Sequence, residues 1–437
     1  MAYKRTEMFP DFIGRLYPTK EKDKKILTQT VTFQVTDACN LACTYCYQIN
    51  KGKRKMTFDT AKKFIDLLLS GEKGMKNYIS PETSPGIVLD FIGGEPFMEV
   101  ELIEKICDYF VEETSRLNHP WQNRFCFSIC SNGTLYFNPN VQKFLKKYQN
   151  LLSFSVTIDG NKELHDSCRV FHDGSPSYDL ALSAAKDWIS KGGEMGSKIT
   201  LSPYNIQYTH DALIHMIELG YTEIFCNCVY EEGWTLEDAK ILYSEMKKVA
   251  DYLLKYNLED EIYISLFEKG YFKPKSEEDN QNWCGGTGVM IACDPDGWIY
   301  PCIRYMESSL GEEQKAMRIG NLDIGVGCTN EHKNCIHCLR SITRRSQSTD
   351  ECFYCPIAEG CGWCSAYNYQ EHGTANKRAT HICIMHQARS LANVYFWNQS
   401  YIKNKKDKQK EMYCPKEWAE KIIGQKEYCY LKELSER

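Results

Sequence analysis

The chain has 437 residues, of which 43% are hydrophobic, so it is long enough for one large or two modest domains with a substantial core. Its net charge of -5 argues against nucleic acid as the main partner. No apolar run reaches membrane-spanning length and the N-terminus lacks a signal-peptide pattern, so we expect a cytoplasmic protein without membrane contact. In a reducing compartment, the 22 cysteines are more typical of metal sites than of disulfides.

The first half of the sequence alternates between strand and helix patterns. Strands are predicted at residues 29–36, 86–92, 125–131, 152–158, 197–201 and 223–229. Helices are predicted at residues 57–70, 99–116, 140–148, 178–191, 209–219 and 235–256. This alternation favours a parallel sheet with right-handed crossovers, and about six units predict an α/β fold with a partial (β/α)6 barrel of the TIM type. Its functional site is expected at the carboxyl ends of the strands.

The loop after the first predicted strand carries Cys39, Cys43 and Cys46, followed by Tyr47. Electron-transfer clusters take four cysteine ligands, so a three-cysteine set implies an iron that binds something else. Cys-x3-Cys-x2-Cys followed by an aromatic resembles the signature of the radical S-adenosylmethionine (SAM) superfamily. The resemblance implies a 4Fe–4S cluster whose open iron chelates SAM, and cleavage of SAM to methionine and a 5′-deoxyadenosyl radical. Part of a zinc site is the alternative.

A glycine-rich segment follows the second predicted strand. Gly93-Gly94-Glu95-Pro96 resembles the superfamily motif that holds the amino group of SAM. There the glycines permit a close backbone approach, and the carboxylate accepts hydrogen bonds from an ammonium group. An ordinary glycine turn is the alternative.

The third and fourth predicted strands also end in polar residues. Ser131 and Asn132 begin a segment that is similar to a ribose-contacting segment of the superfamily. Thr157 and the downstream Arg169 resemble the hydroxyl and guanidinium that contact SAM, the arginine being suited to a carboxylate. Thr157 stands where serine is commoner, which preserves the hydroxyl. A plain surface ion pair is the alternative for Arg169.

The C-terminal part carries a second group of cysteines, namely Cys284, Cys302, Cys352, Cys355, Cys361, Cys364 and Cys383. Their order resembles the cysteine-rich SPASM domain, which in its family holds two auxiliary 4Fe–4S clusters. One departure is the spacing before the sixth cysteine, which is two residues where the family usually has three. Zinc bound by Cys-x2-Cys pairs is the alternative.

The SPASM resemblance implies a ligand set for each cluster. Those of the outer cluster would be Cys352, Cys355, Cys361 and Cys383, and those of the inner cluster Cys284, Cys302 and Cys364. With the SAM-binding cluster, the implied cofactors are SAM and three 4Fe–4S clusters.

Cys293 leaves the fourth ligand of the inner cluster open. If Cys293 binds, the cluster is saturated and acts as an electron conduit. If it instead packs as a small hydrophobe in a strand that enters a turn, the open iron is free for a substrate thiolate. Cys328, Cys335 and Cys338 lie in an insert between the two halves of this domain, and inert residues are the favoured interpretation.

The organisation that follows has four parts. We expect an N-terminal extension over residues 1–28, the barrel over 29–258, the SPASM domain over 259–400 and a helical tail over 401–437. The resemblance implies a maturase of ribosomally made peptides, of the group paired with Cys-x-x-x repeat peptides. The leading hypothesis is a thioether crosslink between a cysteine sulfur and a carbon of a precursor peptide.

Two further partners are expected. A flavodoxin or ferredoxin would donate electrons. The 38 residues before Cys39 are too few for a winged-helix leader-binding domain, so leader recognition would use a separate protein or another surface. The alternatives to thioether formation are oxidation of cysteine or serine to formylglycine, as in anaerobic sulfatase maturases, carbon–carbon or carbon–oxygen crosslinking, and a non-catalytic iron–sulfur carrier.

Overall fold

A computed structural model describes residues 29–193, 196–231, 233–282, 284–406 and 409–437, so the predicted extension over residues 1–28 lies outside the described residues. The first six strands are β1 (Gln29–Gln34), β2 (Ile87–Ile92), β3 (Phe125–Ser131), β4 (Leu152–Val156), β5 (Gly196–Leu201) and β6 (Glu223–Cys228). The accompanying helices are α1 (Phe58–Ser70), α2 (Val100–Arg116), α3 (Pro139–Tyr148), α4 (Lys162–Cys168), α5 (Tyr178–Ser190), α6 (Thr209–Glu218) and α7 (Leu236–Lys255). The predicted α/β alternation is confirmed.

The remaining strands are short. They are β7 (Tyr263–Ile264), β8 (Met290–Cys293), β9 (Trp298–Tyr300), β10 (Gly320–Asn321) and β11 (Gly325–Val326). The helices that follow are α8 (Asn330–Arg340), α9 (Arg344–Gln347), α10 (Asp350–Phe353), α11 (Ser365–His372), α12 (Cys383–Lys403) and α13 (Lys416–Glu436). The last two pack against each other and against α7, so the end of the chain closes over the barrel helices.

The six predicted parallel strands divide between two hydrogen-bonded sheets. One has the order β11-β10-β9-β8-β1-β2-β3-β4, and the other has the order β5-β6-β7. The two sheets meet between β4 and β5. At this seam the Asp159 carboxylate accepts a hydrogen bond from the Thr200 N–H of β5 at 3.4 Å, so this N–H bonds a side chain and not the backbone of β4. β8 pairs in parallel with β1, which extends the barrel sheet beyond the expected domain boundary at residue 258.

The two faces of the main sheet differ in polarity. Phe33 of β1 is fully buried on the helix-covered face, with its ring centroid 5.0 Å from that of Phe64 and 5.6 Å from that of Phe91. On the opposite face Asp90 and Ser128 retain exposed surface. Parallel strands buried on both faces are continuously apolar, so this alternation indicates a concave face that borders a polar cavity.

Local signals set the helix ends. α1 begins after Thr57, whose hydroxyl accepts a hydrogen bond from the Thr60 N–H, and it ends at Gly71 in the left-handed conformation. α7 begins with a capping box formed by Thr235 and Asp238. These caps are readable from the sequence, which explains why the predicted helix boundaries agree closely with the structure. No helix in the described ranges is long and apolar enough to cross a membrane.

Replacing the Phe33 ring tests the buried face of β1. Because its fully buried ring packs against two others, Phe33→Ala should lower the free energy of unfolding of the cofactor-free protein by about 3–5 kcal/mol. Phe137→Ala, at a side chain that is 54% exposed, is the matched control and should change it by less than about 1 kcal/mol. Urea unfolding followed by circular dichroism measures both, and equal losses would contradict this account of the core.

Candidate functional site

The three-cysteine loop follows β1 and lies against the end of α4 and the residues after it. Its backbone is anchored by two hydrogen bonds, from Ala42 N–H to the Val170 carbonyl at 2.8 Å and from Thr44 N–H to the Cys168 carbonyl at 3.0 Å. The thiols of Cys39, Cys43 and Cys46 are partly exposed, as cofactor ligands must be, while the backbone around them is fixed.

Burial governs the thiols in this loop. It raises the pKa of Cys39 to about 11, against the opposing effects of the Leu41 N–H, which bonds the sulfur, and of Lys51. Burial also raises the pKa of Cys43, with Arg169 and Lys51 acting in the opposite direction. The free thiols of Cys39 and Cys43 are therefore protonated at neutral pH, and ligation to iron would release their protons.

Glu95 joins three segments of the site. Its carboxylate is buried and accepts hydrogen bonds from the Ser131 hydroxyl at 2.7 Å, the Asn132 N–H at 2.9 Å and the Phe97 N–H at 3.1 Å. Its own N–H donates to the Ala38 carbonyl at 3.0 Å, next to the first cysteine. Burial raises the pKa of this carboxyl, while the hydrogen bonds from Asn132 and Ser131 favour its charged form.

Gly94 permits the closest approach between β2 and the cysteine loop. A Cβ atom at this position would lie 2.4 Å from the Ala38 carbonyl oxygen and 2.6 Å from the Cβ of Cys39. Gly93 and the buried Pro96 flank it, so the predicted four-residue motif lies directly against the first cysteine. A glycine at position 94 is required by this packing.

Asn132 connects the cysteine loop to the end of β3. Its amide group donates to the Asn40 side chain at 2.9 Å and accepts from the Thr134 hydroxyl at 2.7 Å. Asn40 in turn donates to Thr134 at 2.7 Å. The Ser131 hydroxyl is occupied by Glu95, so Ser131 and Asn132 support the site in this structure. Asn40 was missed in the sequence because its partner is 92 residues away.

Arg169 lies at the centre of a buried charged group. Its guanidinium donates to the Tyr45 hydroxyl at 2.8 Å and lies 3.8 Å from the Asp159 carboxylate, which also accepts from Tyr45. Cys43 and Glu95 are both within electrostatic range of this cation. The alternative of a surface ion pair is therefore wrong, because both charged side chains are buried.

A buried hydrogen-bond donor of Arg169 indicates whether SAM fits this site. The buried Nε of Arg169 has no hydrogen-bond partner among the described residues. A buried unpaired donor on a cation beside Cys43 suits the carboxylate of a ligand. Thr157 lies nearby at the end of β4, half-buried, with its hydroxyl 3.2 Å from the Cys130 sulfur. The donor set therefore fits an amino-acid-like ligand at this edge of the sheet.

The structure brings Cys284, Cys302 and Cys364 together. Burial and then the charges of Cys364 and Cys284 raise the pKa of the Cys302 thiol. The Cys284 sulfur lies 3.1 Å from the Ser365 hydroxyl, and a Cβ on Gly286 would lie 3.1 Å from both the Cys302 sulfur and that hydroxyl. These are the three cysteines expected for the inner cluster, and they are the candidates to hold it.

The four cysteines expected for the outer cluster also converge. Burial, and then the charges of Cys361, Cys352 and Cys355, raise the pKa of Cys383 to about 12. Arg378 donates to the Cys352 sulfur at 3.5 Å and to the Cys361 sulfur at 4.0 Å. A cation beside several thiolates favours an anionic iron–sulfur centre here.

Other cysteines lie outside these two groups. Cys293 is fully buried in β8, opposite Phe33 of β1, and burial followed by the charge of Asp294 raises its pKa. The structure places Cys293 in the core and not with Cys284, Cys302 and Cys364, the inner group. This position agrees with the interpretation of Cys293 as a small hydrophobe. Buried Cys414 beside Cys355 was missed because no motif surrounds it.

The described residues contain no group of three or more His, Cys, Asp or Glu side chains arranged to hold a single metal ion. The cysteine ligands of a 4Fe–4S cluster bind separate irons and so stand farther apart than the ligands of one ion.

Tyr47 and Arg304 connect the three-cysteine loop to the inner group. The Arg304 guanidinium lies 4.8 Å from the centre of the Tyr47 ring and forms an ion pair with Glu231. Burial raises the pKa of Tyr47, Arg304 opposes this, and the charges of Cys46 and Cys302 add to it. Tyr47 keeps some exposed surface, and the charges of Cys46 and Cys302 both act on it, so it lies between the two cysteine groups.

Asp90 lies on the concave face of the sheet, within electrostatic range of Tyr47. It lies in register with Thr32 of β1 and Ser128 of β3, whose hydroxyls favour its charged form. Burial dominates and raises its pKa from 3.8 to about 6, and no cation contributes to the shift. A carboxylate without a cation partner beside a candidate site is a candidate functional group. It was missed in the sequence because it looks like an ordinary polar strand residue.

No protein-family model matches the sequence. An uncharacterized protein of Methanocaldococcus jannaschii is 30% identical over 269 residues, which is 62% of this chain and 82% of that protein. The radical SAM cyclopropyl synthase TigE of Paramaledivibacter caminithermalis is 22% identical over 63% of this chain and 57% of its own length. A serine-type anaerobic sulfatase-maturating enzyme of Bacteroides thetaiotaomicron is 26% identical over 40% of this chain and 39% of its own length. The chain thus matches little more than half, or less, of the two relatives whose names state an activity.

Solved structures with the same fold include native anSMEcpe with bound AdoMet, which has a TM-score of 0.62 at 17% identity and covers 87% of this chain and 100% of that chain. Streptococcus suis SuiB bound to its precursor peptide SuiA has a TM-score of 0.54 at 14% identity, covering 82% and 76%. At these identities the likeness concerns the fold alone.

Gly94→Ala tests the packing of the glycine motif against the cysteine loop. The added Cβ would displace Ala38 and Cys39, so we expect 5′-deoxyadenosine formation under strong reductant to fall at least tenfold, with unchanged far-ultraviolet circular dichroism. Gly270→Ala, where the added Cβ meets nothing within 4 Å, is the control and should keep the wild-type rate. Wild-type activity in Gly94→Ala would show that this contact does not position the loop.

Proposed function

We propose that the chain is a radical SAM peptide-modifying enzyme that joins a cysteine sulfur to a carbon of a precursor peptide, as the similarity to radical SAM and sulfatase-maturating enzymes supports. The observation that carries the proposal is the convergence of the three-cysteine loop, Glu95 and Arg169 at one edge of the sheet. Tyr47 lies between this edge and the Cys284 group, which consists of Cys284, Cys302 and Cys364. A SAM site and an auxiliary redox centre on either side of one cavity suit an oxidative reaction of a bound substrate.

The residues of the SAM site take distinct roles in this proposal. Cys39, Cys43 and Cys46 would ligate the 4Fe–4S cluster, Glu95 would face the SAM amino group and Arg169 its carboxylate. When bound, the cluster and SAM supply a 5′-deoxyadenosyl radical that removes a hydrogen atom from the substrate. The chain's own contribution is to orient the ligand between fixed charges and to shield the reaction from solvent.

The cavity at Tyr47 and Asp90 is proposed to hold the reacting part of the peptide. A thioether forms with loss of two hydrogens, one as an atom from carbon and one as a proton from the thiol. In this proposal Asp90 would accept that proton, and Cys284, Cys302 and Cys364 would hold an iron–sulfur centre that would take up the remaining electron. The proposal does not include Cys293 as a ligand, because its place in β8 is against the core.

Peptide substrates are supported by the comparisons. Relatives include a protein for subtilosin biosynthesis in Bacillus subtilis, 23% identical over 56% of its own length, and one solved neighbour is anSMEcpe with AdoMet and the Cp18Cys peptide. The second candidate is oxidation of cysteine or serine to formylglycine, which is favoured by the similarity to two sulfatase-maturating enzymes. A flavodoxin or ferredoxin donor and a separate leader-binding protein remain proposals.

Mass spectrometry of a candidate cysteine-containing precursor peptide after anaerobic co-expression tests this function. We expect a loss of two hydrogens per event, with the affected cysteine no longer open to alkylation. Co-expression with the Cys39→Ala variant is the control and should leave the peptide unchanged. A loss of two hydrogens with every cysteine still free would point to carbon–carbon or carbon–oxygen crosslinks, and an aldehyde at cysteine or serine would indicate formylglycine.

Asp90→Asn tests the proposed proton acceptor. The crosslinking rate should fall about 100-fold, as expected for loss of a general base, while 5′-deoxyadenosine is still formed. In the wild type, the rate should rise with pH as Asp90 loses its proton around pH 6, and Asp90→Glu should keep this rise. The neighbouring Ser128→Ala variant is the control for altered packing and should keep the rise, shifted to higher pH because the Ser128 hydroxyl favours the charged form of Asp90. A wild-type pH profile in Asp90→Asn would contradict this role.

A further inference from the structure

A half-open cavity of about 620 Å³ lies on the surface beside α8, away from the mouth of the barrel. Three basic side chains line it, those of Lys333, His337 and Arg340, and the described lining contains no acidic side chain. The side chains of Lys333 and His337 are exposed. In a chain with a net charge of -5, Lys333 and Arg340 make this wall locally cationic, which suits an acidic partner.

Arg340 connects this cavity to the inner cysteine group. Its guanidinium donates to the Asn77 and Tyr78 carbonyls at 3.2 and 3.3 Å and lies 4.9 Å from the centre of the Tyr78 ring. Gly288, with φ of +113°, follows the turn after Cys284, and a Cβ there would lie 2.7 Å from the Cγ of Arg340. The glycine therefore lets Arg340 pack directly on the turn that carries Cys284.

Tyr78 lies between the cavity and Cys302. It lines the cavity but is only 4% exposed, and its hydroxyl donates to the Met290 carbonyl at 3.1 Å at the start of β8. Burial raises the pKa of Tyr78, Arg340 opposes this, and the charge of Cys302 adds to it. The buried ring of Tyr78 therefore contacts Arg340 on its cavity side and lies within electrostatic range of Cys302.

We propose that the cavity lined by Lys333, His337 and Arg340 is the docking surface for an acidic one-electron carrier protein, which exchanges electrons with the centre held by the Cys284 group. In each encounter one electron moves, so the carrier is oxidised by one electron and the centre is reduced by one, or the reverse. The inference rests on the proposed function, since it requires an iron–sulfur centre at Cys284, Cys302 and Cys364. An acidic peptide is a weaker candidate. The contacts of Arg340 and Tyr78 connect the cavity to the inner cysteine group, whereas a peptide substrate would have to reach the barrel mouth.

Charge reversal on the exposed wall of the cavity tests the docking surface. Reduced flavodoxin is the probe, mixed anaerobically with the reconstituted full-length enzyme while the absorbance of the iron–sulfur centres is followed. The double variant Lys333→Glu, His337→Glu should slow reduction at least tenfold at low ionic strength, and the difference from wild type should shrink as salt screens the charges. The affinity for oxidised flavodoxin, measured by calorimetry, should fall by a similar factor.

Lys146→Glu, an exposed charge reversal on α3 of the barrel, is the matched control and should leave both rate and affinity unchanged. Equal slowing in the control and the double variant, or no effect in either, would overturn the docking surface. Binding of polyglutamate at this cavity without binding of flavodoxin would also overturn it and would indicate an acidic peptide.

Dithionite separates failure of this inference from failure of the proposed function. Reduction of all variants by dithionite at the wild-type rate, with flavodoxin reduction impaired only in the double variant, supports the docking surface. If a Cys284→Ala, Cys302→Ala, Cys364→Ala variant has the same iron content as wild type, no centre is held there, and the inference falls while SAM cleavage still tests the enzyme function.

Discussion

The buried carboxylate of Glu95 is the interaction on which the arrangement of the site depends. It accepts hydrogen bonds from the end of β3, while its own N–H bonds the backbone just before Cys39. Removing one partner from such a network would leave a desolvated charge unpaired, which costs more than the hydrogen bond itself contributes. The network therefore couples the position of the cysteine loop to the register of β2 and β3.

A second buried group surrounds Arg169. Its pairing with Asp159 and Tyr45 offsets the cost of burying a cation, but the Nε donor is left without a described partner. Asp159 also takes the N–H of Thr200 at the seam between the two sheets. The same carboxylate thus pairs with the cation of the site and bonds the backbone of β5.

The C-terminal cysteines form two groups with different electrostatic surroundings. Arg304 lies beside the inner group and stacks on Tyr47, whereas Arg378 donates directly to two sulfurs of the outer group. Both cations are held by protein contacts and would favour anionic centres. Cys302 of the inner group is within electrostatic range of both Tyr47, beside the three-cysteine loop, and Tyr78, in the lining of the surface cavity.

The sequence by itself determined the alternation of strands and helices, because periodicity and capping are local properties. The expected grouping of the C-terminal cysteines came from the resemblance of their order to the SPASM domain, since spacing alone does not separate Cys361 from Cys364. Only the tertiary structure decided the pairing of β8 with β1, the core position of Cys293, the contact between Asn40 and Asn132, and the place of Asp90 in the cavity. These depend on register and on approach between segments tens to hundreds of residues apart, and nothing in the local chain encodes such distances.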